Sequence, residues 1–193
     1  MLISLLNWMY IAATSIVAAI FIIPRFAKVL DREATQFFNF FDYFFGGIII
    51  VTVYAEIFSL LGGVGITANV IMVLLDAIFV YIDRQYYKQL MLHLKKSIKG
   101  NRGLIIPFAC VILLCLRYTS QSTFHYDTGL YHAQAIHWIE EYGVVKGLGN
   151  IHVRLAYNSA LFALSALYSF RDITGGQSLH GISGIMMAAA CLY

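Results

Sequence analysis

The chain has 193 residues, 60% of them hydrophobic and 12% charged, with a formal net charge of +3. Soluble domains carry about 25% charged residues, so a chain this apolar cannot cover its own surface in water and needs lipid as part of its solvent. Long apolar runs without period-two alternation exclude a β-barrel and predict an all-α fold, a polytopic transmembrane helix bundle.

A bilayer crossing needs about 20 mostly apolar residues. On that measure the chain offers about six crossings in order. The first, 2–23, is ended by Pro24 and lacks the basic start and small-residue cleavage site of a secretory signal, so it is a retained helix. The second, 44–61, closes on the turn Gly62, Gly63, Val64 and Gly65. The third is 66–82, and the fourth, 104–116, is short unless Arg117 and Tyr118 sit at the interface. A fifth lies within 151–170. The sixth starts near Leu179 and is still apolar at Tyr193, which makes the chain an expected N-terminal fragment. Cys110 and Cys115 share one apolar run and Cys191 lies in another, so the thiols read as packing residues with neither disulfide nor metal spacing.

Basic residues in short loops set orientation. Loop 83–103 holds Arg84, Lys88, Lys95, Lys96, Lys99 and Arg102, and the loop after the first crossing holds Arg25, Lys28 and Arg32, so both are expected on the cytoplasmic side. The N-terminus, the glycine turn and loop 119–158 then face outward, and Arg171 returns inside. Stretch 86–98 is amphipathic and basic, suited to anionic lipid. Glu56 and Asp76 fall within crossings, where a charge is costly; each is either functional or neutralised by a partner in the bundle.

Loop 119–158 departs from the rest of the chain. It holds four of the six histidines (His125, His132, His137, His152) and the carboxylates Asp127, Glu140 and Glu141. Residues 127–142 predict a helix with Asp127 as N-cap and Gly143 at the C-terminal end. Tyr131, Ala135, Trp138 and Tyr142 share one face, suited to lying flat with aromatic rings at headgroup depth. Glu140 and Glu141 read as a solvated helix end, and His137 and Trp138 as interface packing. The glycine-rich return, 143–154, carries His152 and Arg154 to a membrane entry, where they either hold a phosphate or pyrophosphate or, for Arg154, snorkel to headgroups. His125 and His132 flank Asp127, but their spacing matches no metal signature, so no cofactor is expected and a divalent metal has no support. No phosphate-cradling glycine loop and no basic-aromatic pattern for nucleic acid is present.

Asp127-Thr-Gly-Leu-Tyr131-His132, continuing to Trp138, Glu141, Tyr142 and Gly143, then Gly147-Leu-Gly-Asn150, Arg154 and Asn158-Ser159, resembles the first outer loop of C-type membrane glycosyltransferases. More closely, it resembles a family of bacterial polytopic membrane proteins from surface-polysaccharide loci. The resemblance covers about 40 residues. It departs from the C-type pattern in having Thr128 where many members place a second acid, and Asn150-Ile-His152-Val-Arg154 at the re-entry.

The resemblance implies Asp127 as general base or acceptor-orienting acid. It implies donor contacts from Tyr131, His132, His152, Arg154 and Asn158, with a polyprenyl-phosphate-linked sugar as donor. It also implies a division into an N-terminal three-helix membrane region, 1–103, and the start of a glycosyltransferase-like core, 104–193, in the bacterial inner membrane. Two other functions stay open: a non-enzymatic membrane component of a polysaccharide or export pathway, and a transporter using Glu56 and Asp76.

Overall fold

The computed structural model describes residues 1–29, 39–100, 102–121, 126–157 and 159–193, side chains of 93–99 and 102 excepted. All regular structure in these residues is helical. The main helices are α1 (Leu2–Val29), α2 (Phe40–Ser59), α3 (Ile66–Ile82), α4 (Arg84–Gly100) and α5 (Ile105–Thr119). They are followed by a π-helical turn (Thr128–His132), α6 (Ala133–Tyr142), α7 (Leu148–Ile151), a 3-10 turn (Val153–Ala156), α8 (Ala160–Leu167) and α9 (Ile182–Leu192).

Two helices, α1 with 28 residues and α2 with 20, are long and apolar enough to cross a membrane. The pair α3–α4 adds a third candidate if taken as one span, although it bends by 86°. The six crossings expected from the apolar runs are therefore not matched by six helices of spanning length. Helix α5 has 15 residues and α9 has 11. The run 151–170 holds the end of α7, the 3-10 turn and α8, whose eight residues rise about 12 Å. Helix α1 also runs through Pro24 rather than ending there. Proline removes one backbone donor, a loss that long membrane helices absorb better than soluble ones do.

Helix α2 starts on a capping box. The Asn39 side chain accepts from the Asp42 backbone N–H at 3.0 Å, and the Asp42 carboxylate accepts from the Asn39 N–H at 2.8 Å. Helices α1 and α2 cross closely at Ser15 and Gly47, where a Cβ on residue 47 would fall 2.0 Å from the Ser15 carbonyl oxygen. Only glycine lets the two backbones approach so far.

The core is continuous across both halves of the chain. Trp8 and Ile11 of α1, Phe44 and Val51 of α2 and Met72 of α3 pack with Leu116 of α5 and with Leu164 and Leu167 of α8. Helix α8 is thus a buried plug. Its last carbonyls, which no helical N–H reaches, are held from the side: Asn69 donates to Leu167 O at 2.7 Å and Asn7 to Tyr168 O at 2.9 Å. Tyr10 in turn donates to Asn69 Oδ1 at 3.0 Å.

The bundle has two chemically distinct ends. At one, Arg25 binds Asp83 through two hydrogen bonds of 2.7 and 3.1 Å, and Tyr87 donates to the Val17 carbonyl, so the C-terminal part of α1 meets the α3–α4 junction. At the other, Ser120 donates to Ser4, the glycine turn contacts α6, and Gly181 and Gly184 sit against Trp8. Arg171 corrects the expectation that it returns to the basic end. It contacts His137 and Glu141 of α6, after a helix, α8, of only eight residues.

Candidate functional site

The segment around α6 is helical from Tyr126, but not by the capping expected. Asp127 has helical backbone angles and makes no side-chain cap bond. A π-helical turn follows, an insertion that proteins concentrate at functional sites. The Asp127 carboxylate instead accepts from Arg154 Nη1 at 3.3 Å, across 27 residues of sequence. Gly143 does terminate the helix, with φ of 73° and its N–H on Ile139 O. That conformation is cheap only for glycine.

Five of the six expected site residues come together. The Arg154 guanidinium carbon lies 5.3 Å from the Tyr131 ring centroid. His132 packs edge-on against Tyr131, with centroids 4.3 Å apart, and lies 5.3 Å from Phe162 of α8. The His152 Nδ1 accepts from the Arg154 backbone N–H at 3.2 Å and so fixes the turn that aims Arg154. Tyr131 is buried, whereas the Asp127 and Arg154 side chains are 34% and 42% exposed, open to a ligand at the surface. Asn158 lies outside the described residues, as does His125.

Beside this cluster is an apolar cleft of about 230 Å³. Trp138 and Ile139 form one wall, Val144 and Leu148 the glycine-rich return, and Tyr157 and Phe162 the far wall. Tyr157 joins cleft to cluster, since its ring centroid is 6.0 Å from that of Tyr131. Of the face Tyr131, Ala135, Trp138 and Tyr142, Ala135 and Trp138 line this cleft, whereas Tyr142 is exposed.

A second polar group lies one turn further along. Glu140, expected to be solvated, is buried with its side chain 5% exposed. Its Oε1 accepts from the Ser169 hydroxyl, and its Oε2 is buried with no hydrogen-bond partner. His137 Nδ1 stands 3.6 Å from that oxygen, and His137 Nε2 is 3.3 Å from Glu141 Oε1. Arg171 Nη1 bonds the His137 ring and lies 3.7 Å from Glu141 Oε1. His180 keeps part of its surface open, yet the protein crowding the ring pushes its pKa down, with the nearby Glu140 charge opposing that shift. The Glu141 carboxylate beside Tyr142 pushes that exposed phenol up.

A family model described as a domain of unknown function, DUF8201, matches residues 1–193. The chain belongs to the DUF8201 family. No curated protein and no solved structure matches it.

Among the described residues of this DUF8201 chain, no three His, Cys, Asp or Glu side chains converge as a metal ion would require. Sequence reasoning missed the Glu140 group because its closing partners, Ser169 and Arg171, come from a segment assigned to the opposite end. One signal was present: His137, Glu140 and Glu141 fall at spacings of three and four, on one side of a helix.

Proposed function

We propose that this protein is a glycosyltransferase-like protein of the bacterial cytoplasmic membrane, serving surface-polysaccharide or glycolipid assembly with a polyprenyl-phosphate-linked sugar donor. Helices α1 and α2 anchor it, loop 83–103 is cytoplasmic, and loop 119–158 with the α6 cluster faces outward. The observation that carries this reading is the Asp127–Arg154 pair at 3.3 Å, joined through Tyr131 and Tyr157 to an apolar cleft.

An amphiphile suits that arrangement. Its hydrocarbon would enter the cleft and its phosphate would meet Arg154. A phosphate drawing Arg154 toward itself frees Asp127 from its ion pair. As an acceptor hydroxyl attacks the anomeric carbon, the new C–O bond forms and the bond to the phosphate oxygen breaks. Asp127 takes the hydroxyl proton, and Arg154 stabilises the charge left on the phosphate. His152 and Tyr131 act as positioning residues for Arg154.

The test is Asp127→Asn. It removes the base and keeps the size, so surface-glycan output is lost while the protein still accumulates in the membrane. Unchanged glycan output refutes the catalytic role. A transport function has one observation in its favour: Tyr10, Thr14, Asn69 and Tyr168 form a hydrogen-bonded polar group inside the bundle, within electrostatic reach of Asp76. In that case Asp76→Asn is the damaging change and Asp127→Asn is silent. If neither substitution matters, a non-enzymatic role in assembly or export follows.

A further inference from the structure

Helix α3 runs alongside α1 in the same direction: Tyr10 bonds Asn69, Phe21 stacks on Phe79 at 4.1 Å, and Arg25 pairs with Asp83. At Asp83 the chain turns by 86° into α4. The elbow is pinned to the bundle. Tyr87 donates to Val17 O at 2.8 Å, the Tyr86 and Tyr43 hydroxyls lie 3.1 Å apart, and Leu90 packs on the cluster of Ala19, Ile20 and Tyr43. Arg25 also marks the level at which the apolar run of α1 stops. Residues 2–24 of that helix rise about 35 Å, close to the thickness of a bilayer's hydrocarbon. A helix that leaves α3 near a right angle at this level lies along the membrane surface.

The elbow encloses an open recess of about 430 Å³, lined by Ile82, Asp83, Arg84, Gln85, Tyr86 and Gln89. Asp83 is the one carboxylate among these residues, and Arg25 holds it in two hydrogen bonds. Arg84 therefore leaves the lining with a net positive charge. Gln85 and Gln89, one helical turn apart, add neutral amide donors. Lys88, one turn beyond Arg84, is exposed as Arg84 is, and α4 contains no Asp or Glu. Ile71, Leu75, Ile78 and Ile82 follow at spacings of four, three and four along α3, all exposed, so an apolar stripe leads from the hydrocarbon level into the recess. Cations and amide donors at the head of an apolar track suit a phosphate carried on hydrocarbon chains.

We propose that the α3–α4 elbow binds the headgroup of an anionic phospholipid, with the phosphate on Arg84, Gln85 and Gln89, Lys88 adding charge beside it, and the acyl chains along the exposed stripe of α3. The site lies at the bundle end away from α6. It rests on α1 and α2 crossing a membrane and is independent of the glycosyltransferase reading.

Electron spin resonance of spin-labelled lipids tests it, on the purified full chain reconstituted in phosphatidylcholine vesicles. Spin-labelled phosphatidylglycerol should associate with the wild type several-fold more strongly than spin-labelled phosphatidylcholine. Arg84→Gln combined with Lys88→Gln should bring the two lipids to parity. Gln89→Glu, an exposed change that places a carboxylate in the recess, should do the same, which keeps the test decisive should the double variant fail to fold. Lys146→Gln removes an exposed cation near α6 and should leave the preference unchanged. Equal association of both lipids with the wild type overturns the proposal, as does a preference that survives either elbow variant or is lost in Lys146→Gln. Inorganic phosphate, added against chloride at equal ionic strength, should leave the preference intact. If it displaces the labelled phosphatidylglycerol, the elbow is a site for free phosphate and the lipid assignment falls.

Discussion

The Val64 backbone N–H donates to the Ile139 carbonyl oxygen at 3.0 Å, fastening the turn between α2 and α3 to the last turn of α6. Val144 adds a second bond to Ser59 O at 2.8 Å. The glycine turn is thus a docking surface of bare backbone, which is why a run of glycines stands between two apolar helices.

Gly63→Ala should break this contact. A Cβ there would meet the Glu141 and Glu140 carbonyl oxygens at 2.5 and 2.6 Å, and backbone atoms on both sides cannot yield cheaply. We expect a loss of about 1–3 kcal/mol and a lower thermal midpoint in detergent. Gly62→Ala, with open space around its Cβ, should change stability by no more than about 0.5 kcal/mol. Equal midpoints for the two variants would contradict the docking.

Topology can be read by membrane-impermeant thiol labelling after the three native cysteines are replaced by alanine. Gly129→Cys in the π turn and Ile173→Cys after α8 should label from the same side, because Arg171 contacts α6. Gln85→Cys, beside the Arg25–Asp83 bond, should label from the other. Labelling of positions 129 and 173 from opposite sides would restore α8 as a crossing.

Acid should erode stability through His180. Its folded pKa lies below the unfolded value, so the unfolded chain binds the proton first as pH falls. The contribution is whole above about pH 6.5, the unfolded value, and is lost as pH drops through the folded one. Because the ring is partly open to solvent, the decline should be shallow. His180→Gln should flatten the thermal midpoint between neutral and mildly acid pH, and an unaltered slope in that variant would rule the contribution out.

Composition and the long apolar runs by themselves pointed to the all-helical class of fold, and the two helices long and apolar enough to cross a membrane, α1 and α2, are recognisable without coordinates. Spacing also placed Asp127, Tyr131 and the Gly143 stop on one helix, since these are local, period-3.6 properties. Only tertiary structure decided what pairs across distance. The apolar stretch within 151–170 looks the same whether it faces lipid or, as α8, plugs a protein core, because both environments reward the same side chains. The burial of Glu140 and the return of Arg171 to α6 follow from that one helix being short and packed in the core, while the meeting of Asp127 with Arg154 is a fold of the preceding loop back on itself.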